Sequence, residues 1–233
     1  MKTIVDSQLS KGQSANISQE LFDQLLTPTL DLSIDYSEIY LDDLIDNDAI
    51  KEIPIIKTIV GVIKGSVSIN QFWFAKKLLT FIREFNKKAI DIDKINKFKN
   101  KLKSDPQFGK RVAERLMVYI DRNIEINQTL IVANLFSAYI DEKIDFQQLN
   151  NIIITLDQLN PKAFYAFFDL AKIDFLINTS NYKDIGQRNH EMENFINNSG
   201  FGKETSVWFH GFELTDDGKL LFEYGIKPIK ETE

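Results

Sequence analysis

The sequence of 233 residues contains no cysteine, and this absence excludes three kinds of function at once. Without a thiol the chain forms no disulfide framework, no thiolate metal site and no cysteine nucleophile. The apolar region 53–82 also lacks a long uncharged run, because lysines interrupt it and its uncharged stretch, 65–75, has only 11 residues. A helix needs about 20 apolar residues to cross a bilayer, and the first residues lack the apolar core of a signal peptide. We therefore predict a cytoplasmic protein without a transmembrane segment.

Histidine is nearly as scarce, with two residues, and neither lies in a complete catalytic or metal-binding motif. His190 precedes Glu191 as in the helix motif of zinc proteases, but Asn194 stands where that motif has its second histidine. His210 lies in an aromatic segment, which is typical of a packed and hydrogen-bonded side chain. A pairing of His210 with a following aspartate stays open, although no nucleophile is indicated.

Other catalytic and ligand-binding sequence motifs are missing as well. The chain has no glycine-rich phosphate loop and no G-x-S-x-G elbow. The acidic groups at 42–48 and 141–145 lack the glycine and the terminal glutamate of a calcium loop, so they are more typical of helix capping. We predict a protein that is not an enzyme, with no catalytic residue, no metal and no cofactor.

Apolar side chains recur at helical spacing through most of residues 51–198. Asp105 and Asn160 each precede a proline, the arrangement of a helix N-cap followed by the first helical residue. The pattern predicts a mainly α fold, a multi-helix bundle with a small C-terminal unit that contains a β-hairpin. The predicted helices cover 54–66, 69–86, 91–103, 106–124, 129–140, 146–156, 161–175 and 183–197.

The two ends of the chain differ from this bundle. Residues 1–50 are predicted to form an acidic arm, with one short helix beginning near Ser18 and another at 36–45. Residues 199–233 are predicted to form a small β-containing unit, with a strand at 205–214, a turn at 215–218 and a second strand at 219–224. In the alternative, Thr215 is the N-cap of a final helical turn.

The net charge of −6 conceals a polarised sequence. Residues 1–52 carry 11 acidic and 3 basic side chains, whereas residues 76–115 carry 13 basic and 5 acidic ones. The basic block is open to several interpretations: a solvated helix face, pairing with the acidic residues 31–52, an acidic partner protein, or nucleic acid. The block is rich in lysine and poor in arginine, and base readout and bidentate phosphate contacts favour arginine.

Four segments carry a resemblance to known proteins: IPIIK at 53–57, FAKKLLTFI at 74–82, LIVANLF at 130–136 and IDF at 144–146. Over residues 53–168 the chain resembles uncharacterised helical proteins of the bacterial accessory genome, which occur beside prophages and defence genes. The later part of this segment is similar in its spacing of hydrophobic residues to tellurite-resistance-type (TerB-like) bundles. The resemblance implies a helical fold and carries over no functional residue.

These observations predict a non-enzymatic protein-interaction module of a bacterial accessory system that serves phage defence or stress response. The alternatives are a nucleic-acid-binding regulator that uses the Lys-rich face of residues 76–115, and an enzyme built from scattered carboxylates. We expect a protein partner, and leave nucleic acid and a homo-oligomer open. The predicted partner- or nucleic-acid-binding residues are Lys76, Lys77, Arg83, Lys87, Lys94, Lys97, Lys101, Trp208 and Phe209.

Overall fold

A computed structural model describes residues 11–27, 30–40, 47, 50, 52–60, 69–170, 194–195, 197–206 and 211–230. The fold is mainly α, as predicted. Its helices are α1 (Lys11–Leu26), α2 (Pro54–Val60), α3 (Ile69–Asn86), α4 (Ile92–Ser104), α5 (Pro106–Arg122), α6 (Ile126–Ile140), α7 (Phe146–Asp157), α8 (Pro161–Leu170), α9 (Asp216–Leu220) and α10 (Lys227–Lys230). Two strands, β1 (Gly202–Ser206) and β2 (Gly211–Leu214), precede α9, and a π-helical turn, Leu221–Ile226, joins α9 to α10.

The chain divides into two compact units, Met1–Glu142 and Lys143–Glu233. This boundary falls inside the segment 51–198 for which the sequence predicts one bundle. Helix α1 belongs to the first unit, although it lies in the segment 1–50 predicted as an acidic arm. It also begins at Lys11, ahead of the predicted start near Ser18.

The first unit is centred on α3 and α6, which pack along each other. Their inward faces meet through aromatic rings: Phe136 of α6 lies 6.2 Å from Phe81 and 5.7 Å from Phe85 between ring centroids. Helix α1 closes this core by packing on α5 and α3, with Leu21 fully buried. Burial of apolar rings and aliphatic side chains, worth about 1.5–3 kcal/mol for each full side chain, therefore holds the unit together.

Helix α4 depends on one buried side chain, Phe98, because its other residues are half-buried or exposed. The Phe98 ring makes edge-to-face contacts with Phe22 of α1 at 5.8 Å, Phe108 of α5 at 6.4 Å and Phe136 of α6 at 6.0 Å. Such pairs contribute about 0.5–1.5 kcal/mol beyond the area that they bury. Phe98 therefore links α4 to three other helices.

The helix boundaries follow the capping residues. Asp91 accepts a hydrogen bond from the backbone N–H of Asp93 at 2.7 Å and opens α4. Asp105 accepts one from Phe108 N–H at 2.9 Å, and Pro106 then begins α5 as predicted. A side-chain oxygen at the N-cap satisfies one of the backbone donors that a helix start leaves unpaired.

In the second unit, β1 pairs antiparallel with β2, with Gly202 opposite Leu214. The predicted hairpin, with its second strand at 219–224, is not confirmed, because these residues are helical. Thr215 is instead the N-cap of α9, and its Oγ1 accepts a hydrogen bond from Gly218 N–H at 3.1 Å. The N-cap alternative is therefore correct, since a satisfied cap outweighs local β propensity here.

Four of the predicted helices extend beyond the residues that the structure describes. Residues 36–40 form a turn and an irregular segment, so that part of the predicted helix 36–45 is wrong, and 41–45 lie outside the described residues. The helices predicted at 54–66 and 161–175 are seen as α2 and α8, with their remaining residues outside the described ranges. Nearly all of the predicted helix 183–197 and both histidines also lie outside them.

Candidate interaction surface

Lys77 is buried, with 7% of its surface exposed. Its Nζ donates to the backbone oxygens of Asp121 at 2.5 Å and Asn123 at 3.1 Å, at the C-terminal end of α5. A cation there satisfies carbonyls that the helix leaves unpaired and interacts favourably with the helix dipole. Burial lowers the pKa of Lys77, and the charge of Asp121 opposes that shift. The predicted binding residue Lys77 thus binds the protein's own backbone and is not presented to a partner.

Lys76 and Arg83 bind the segment that follows α1. Lys76 Nζ donates to the carbonyl of Ile39 at 3.1 Å. Arg83 Nε donates to the carbonyl of Leu32 at 3.2 Å, and its Nη1 lies 3.4 Å from Asp35 Oδ2. Residues 31–40, the described part of the acidic segment 31–52, therefore contact the beginning of the basic block, in line with one of the alternatives that the charge pattern left open.

Asp35 is the acidic group at the centre of this contact. Burial raises its pKa, but hydrogen bonds from Ser37 and the positive charges of Arg83 and Lys87 outweigh that effect and leave the pKa lowered. A lowered pKa means that the surroundings favour the carboxylate. The charge of Lys87, whose side chain is exposed, thus favours the ionised form of Asp35.

Lys94 and Lys97 bind the C-terminal end of α6. Lys94 Nζ donates to the Asp141 carbonyl at 2.5 Å and to its Oδ1 at 3.1 Å, and Lys97 forms an ion pair with Glu142. Both contacts place a cation beside the negative end of a helix dipole. These lysines tie α4 to the loop after α6.

Lys101 makes a contact of another kind, with its Nζ 4.1 Å from the centroid of the Phe108 ring. A cation over an aromatic face gains about 0.5–1 kcal/mol at an exposed site. The two aromatic residues predicted to contact a partner, Trp208 and Phe209, lie outside the described residues.

Three other lysines, Lys99, Lys103 and Lys110, line a groove of about 630 Å³ between α1, α4 and α5. Lys99 and Lys103 form no ion pair or hydrogen bond with any residue that the structure describes, and Lys110 has a 3.7 Å contact with Glu114. The groove has the volume of a typical ligand site. Its walls comprise Ser18, Gln19, Phe22, Asp23, Leu26, Thr27, Lys99, Leu102, Lys103, Pro106, Gln107, Gly109 and Lys110.

We call this cleft the α1–α4–α5 groove. Its floor is apolar. Phe22, Leu26, Leu102 and Gly109 contribute to it. A Cβ placed on Gly109 would lie 3.1 Å from Leu102 Cδ2 and 3.9 Å from the Phe22 ring, so glycine keeps the floor open at this point. Apolar floor and cationic rim together suit a ligand that has an apolar face and a negative charge.

The groove lysines Lys99, Lys103 and Lys110 are absent from the predicted binding residues, which on α4 are Lys94, Lys97 and Lys101. The signal for the groove lysines was the interval of four between Lys99 and Lys103, beside the apolar Leu102. That spacing places two cations on one helix face next to an apolar residue, but it does not show which lysines the rest of the protein engages.

A metal centre is not seen in the described part of the chain, where no three histidine or carboxylate side chains form a group able to hold an ion. Asp145 of the predicted acidic group caps α7 by accepting a hydrogen bond from Gln148 N–H at 2.8 Å. No helix within the described ranges combines the length and the apolar character needed to cross a membrane.

Comparisons with known proteins give no family for this chain. No protein-family model matches it, and neither the curated proteins nor the solved structures yield a significant match.

Proposed function

We propose that the protein is a non-enzymatic protein-interaction module whose docking surface is the α1–α4–α5 groove. One observation carries the proposal: Lys99 and Lys103 stand beside an apolar floor without an internal partner among the described residues, while neighbouring lysines of the basic block are engaged. Protein interfaces combine an apolar core with a polar rim, and charges at the rim that complement the partner steer its encounter and orientation.

A nucleic-acid ligand fits these observations less well. Lys76, Lys77, Arg83 and Lys94 bind backbone carbonyls, which removes them from any stripe of phosphate contacts. The affinity of a phosphate-binding surface grows with the number of neutralised phosphates, and the groove offers three lysines.

The biological setting is a separate part of the proposal. The resemblance to accessory-genome proteins supports a role in phage defence or stress response. This setting is independent of the groove and would be tested by co-purification from the native host.

Site-specific photo-crosslinking tests the interaction itself. A benzophenone amino acid replaces Gln107, an exposed residue of the groove, and in a control it replaces Ile92, which is 65% exposed and does not line it. We expect a discrete protein adduct in host lysate from position 107 alone, and we expect it to be lost in the K99E/K103E variant. An adduct that disappears on nuclease treatment, or equal adducts at both positions, would contradict the proposal.

A further inference from the structure

We infer that the α1–α4–α5 groove accepts one acidic amphipathic helix of a partner protein. The inference rests on the proposed function and adds the chemistry of the partner. Three helices wall the groove and an apolar floor runs between them, the arrangement in which proteins bind a helix by its apolar face. The occupant would insert side chains from positions i, i+3 or i+4, and i+7.

The charges of the rim are unevenly distributed over its walls. Lys99 and Lys103 lie one turn apart on α4, and Lys110 lies in the second turn of α5. The α1 wall carries Asp23 instead, whose Oδ1 accepts a hydrogen bond from Gln19 at 2.8 Å. Side chains four residues apart on a helix are about 5–6 Å apart at Cβ. The matching ligand is a helix with carboxylates at the same interval along the edge that faces α4 and α5.

The uneven charge of the rim favours one orientation of the bound helix in the groove. A carboxylate facing Asp23 would meet a like charge, whereas one facing Lys99 or Lys103 would meet an ammonium group that has no partner among the described residues. Like charges across an interface disfavour the wrong arrangement more than matched charges add affinity. We therefore expect the bound helix to be acidic on one flank of its apolar stripe and uncharged or basic on the other.

A selection from a helical peptide library tests the inference on the full-length chain. Peptides of 18 residues with a fixed leucine stripe and randomised flanks are displayed and selected for binding, and the enriched peptide is synthesised with a fluorescent label. We expect enrichment of Asp and Glu on one flank, at intervals of three or four residues. Binding by anisotropy should weaken at least about tenfold in K99E/K103E, because the rim charges are reversed.

The matched control is K57E/K162E, which makes the same change in charge at two exposed lysines outside the groove. The affinity of K57E/K162E for the selected peptide should lie within about twofold of the wild-type affinity. A reversed peptide, with lysine in place of each enriched carboxylate, should bind K99E/K103E better than it binds the wild type. Circular dichroism of each variant verifies that the helical content is retained.

The outcomes separate this inference from the proposed function. An absence of enrichment, enrichment of neutral peptides, or acidic peptides that bind K99E/K103E as well as the wild type would overturn the inference. The crosslink from position 107 to a protein would still stand in those cases. A 20-bp DNA duplex that displaces the peptide from the wild type and does not bind K99E/K103E would overturn both the inference and the proposed function.

Discussion

Replacing Phe98 with alanine should release α4 from the first unit. Phe98 is the one buried side chain of that helix, and its ring meets Phe22, Phe108 and Phe136 from three other helices. The change removes the ring and leaves a cavity where these contacts converge. Because α4 carries Lys99 and Lys103, the perturbation tests whether the groove depends on this anchor.

The magnitude follows from the geometry. Replacing a buried phenylalanine with alanine costs about 3–5 kcal/mol, and the lost ring pairs place Phe98 at the upper end of that range. The ion pairs of the same helix are partly exposed, with 34% of the Lys94 side chain and 73% of the Lys97 side chain accessible. Exposed pairs contribute about 0–1 kcal/mol each. We therefore expect about 4–5 kcal/mol from Phe98→Ala and no more than about 2 kcal/mol from losing both lysines.

Urea unfolding followed by circular dichroism measures these changes, and hydrogen exchange locates them. Backbone amides of 95–104 should lose protection first in Phe98→Ala. Ile92→Ala is the control in the same helix, because Ile92 is 65% exposed and should cost less than about 0.5 kcal/mol. Two results would refute the view that the Phe98 ring anchors α4. One is a loss of unfolding free energy below about 1.5 kcal/mol for Phe98→Ala, and the other is a loss for K94A/K97A that exceeds the loss for Phe98→Ala.

Three other substitutions test separate contacts. Burial lowers the pKa of Lys77 below its ordinary value of 10.5. Between the folded-state pKa and 10.5 the unfolded chain binds more protons than the folded chain, so the free energy of unfolding rises with pH. In urea titrations the stability of wild type relative to Lys77→Met should therefore increase as the pH is raised toward about 10, and a constant difference would count against the burial of the ammonium group. Arg83→Ala should cost about 1–2 kcal/mol in the same assay, because it removes a hydrogen bond to a carbonyl and the pair with the half-exposed Asp35; a loss below about 0.3 kcal/mol would argue against this contact. In Gly218→Ala the new Cβ would lie 2.1 Å from the carbonyl oxygen of Phe201, so thermal unfolding should occur several degrees lower; an unchanged melting temperature would contradict the close approach at this turn.

Helix positions could be predicted because they depend on local patterns. The apolar spacing and the Asp105–Pro106 pair placed the start of α5 correctly, and α3 has the predicted bounds 69–86. Both signals act within a few residues along the chain. The hairpin failed for a related reason: strand-forming residues stand next to Thr215, and the cap on Gly218 N–H decides the local structure.

The candidate site could not be predicted because it depends on distant contacts. A lysine in a helical pattern is expected to point outward, but Lys77 meets the carbonyl of Asp121, 44 residues away. The groove exists because α1, far away in sequence from α4 and α5, lies beside them. A one-dimensional charge count treats all of the lysines as equivalent, whereas the fold divides them into engaged and available sets.

That division is the central claim, and the reaction rates of individual lysines test it most directly. Acetylation of the native protein with a limiting reagent, read by mass spectrometry and normalised to the unfolded chain, gives a relative rate for each amine. Lys103, which is exposed, should react nearly as fast as in the unfolded chain; the half-buried Lys99 should follow, the hydrogen-bonded Lys94 should react more slowly, and Lys77 slowest of all. A Lys77 rate equal to that of Lys103, or strong protection of Lys99 and Lys103 in the isolated protein, would contradict the account.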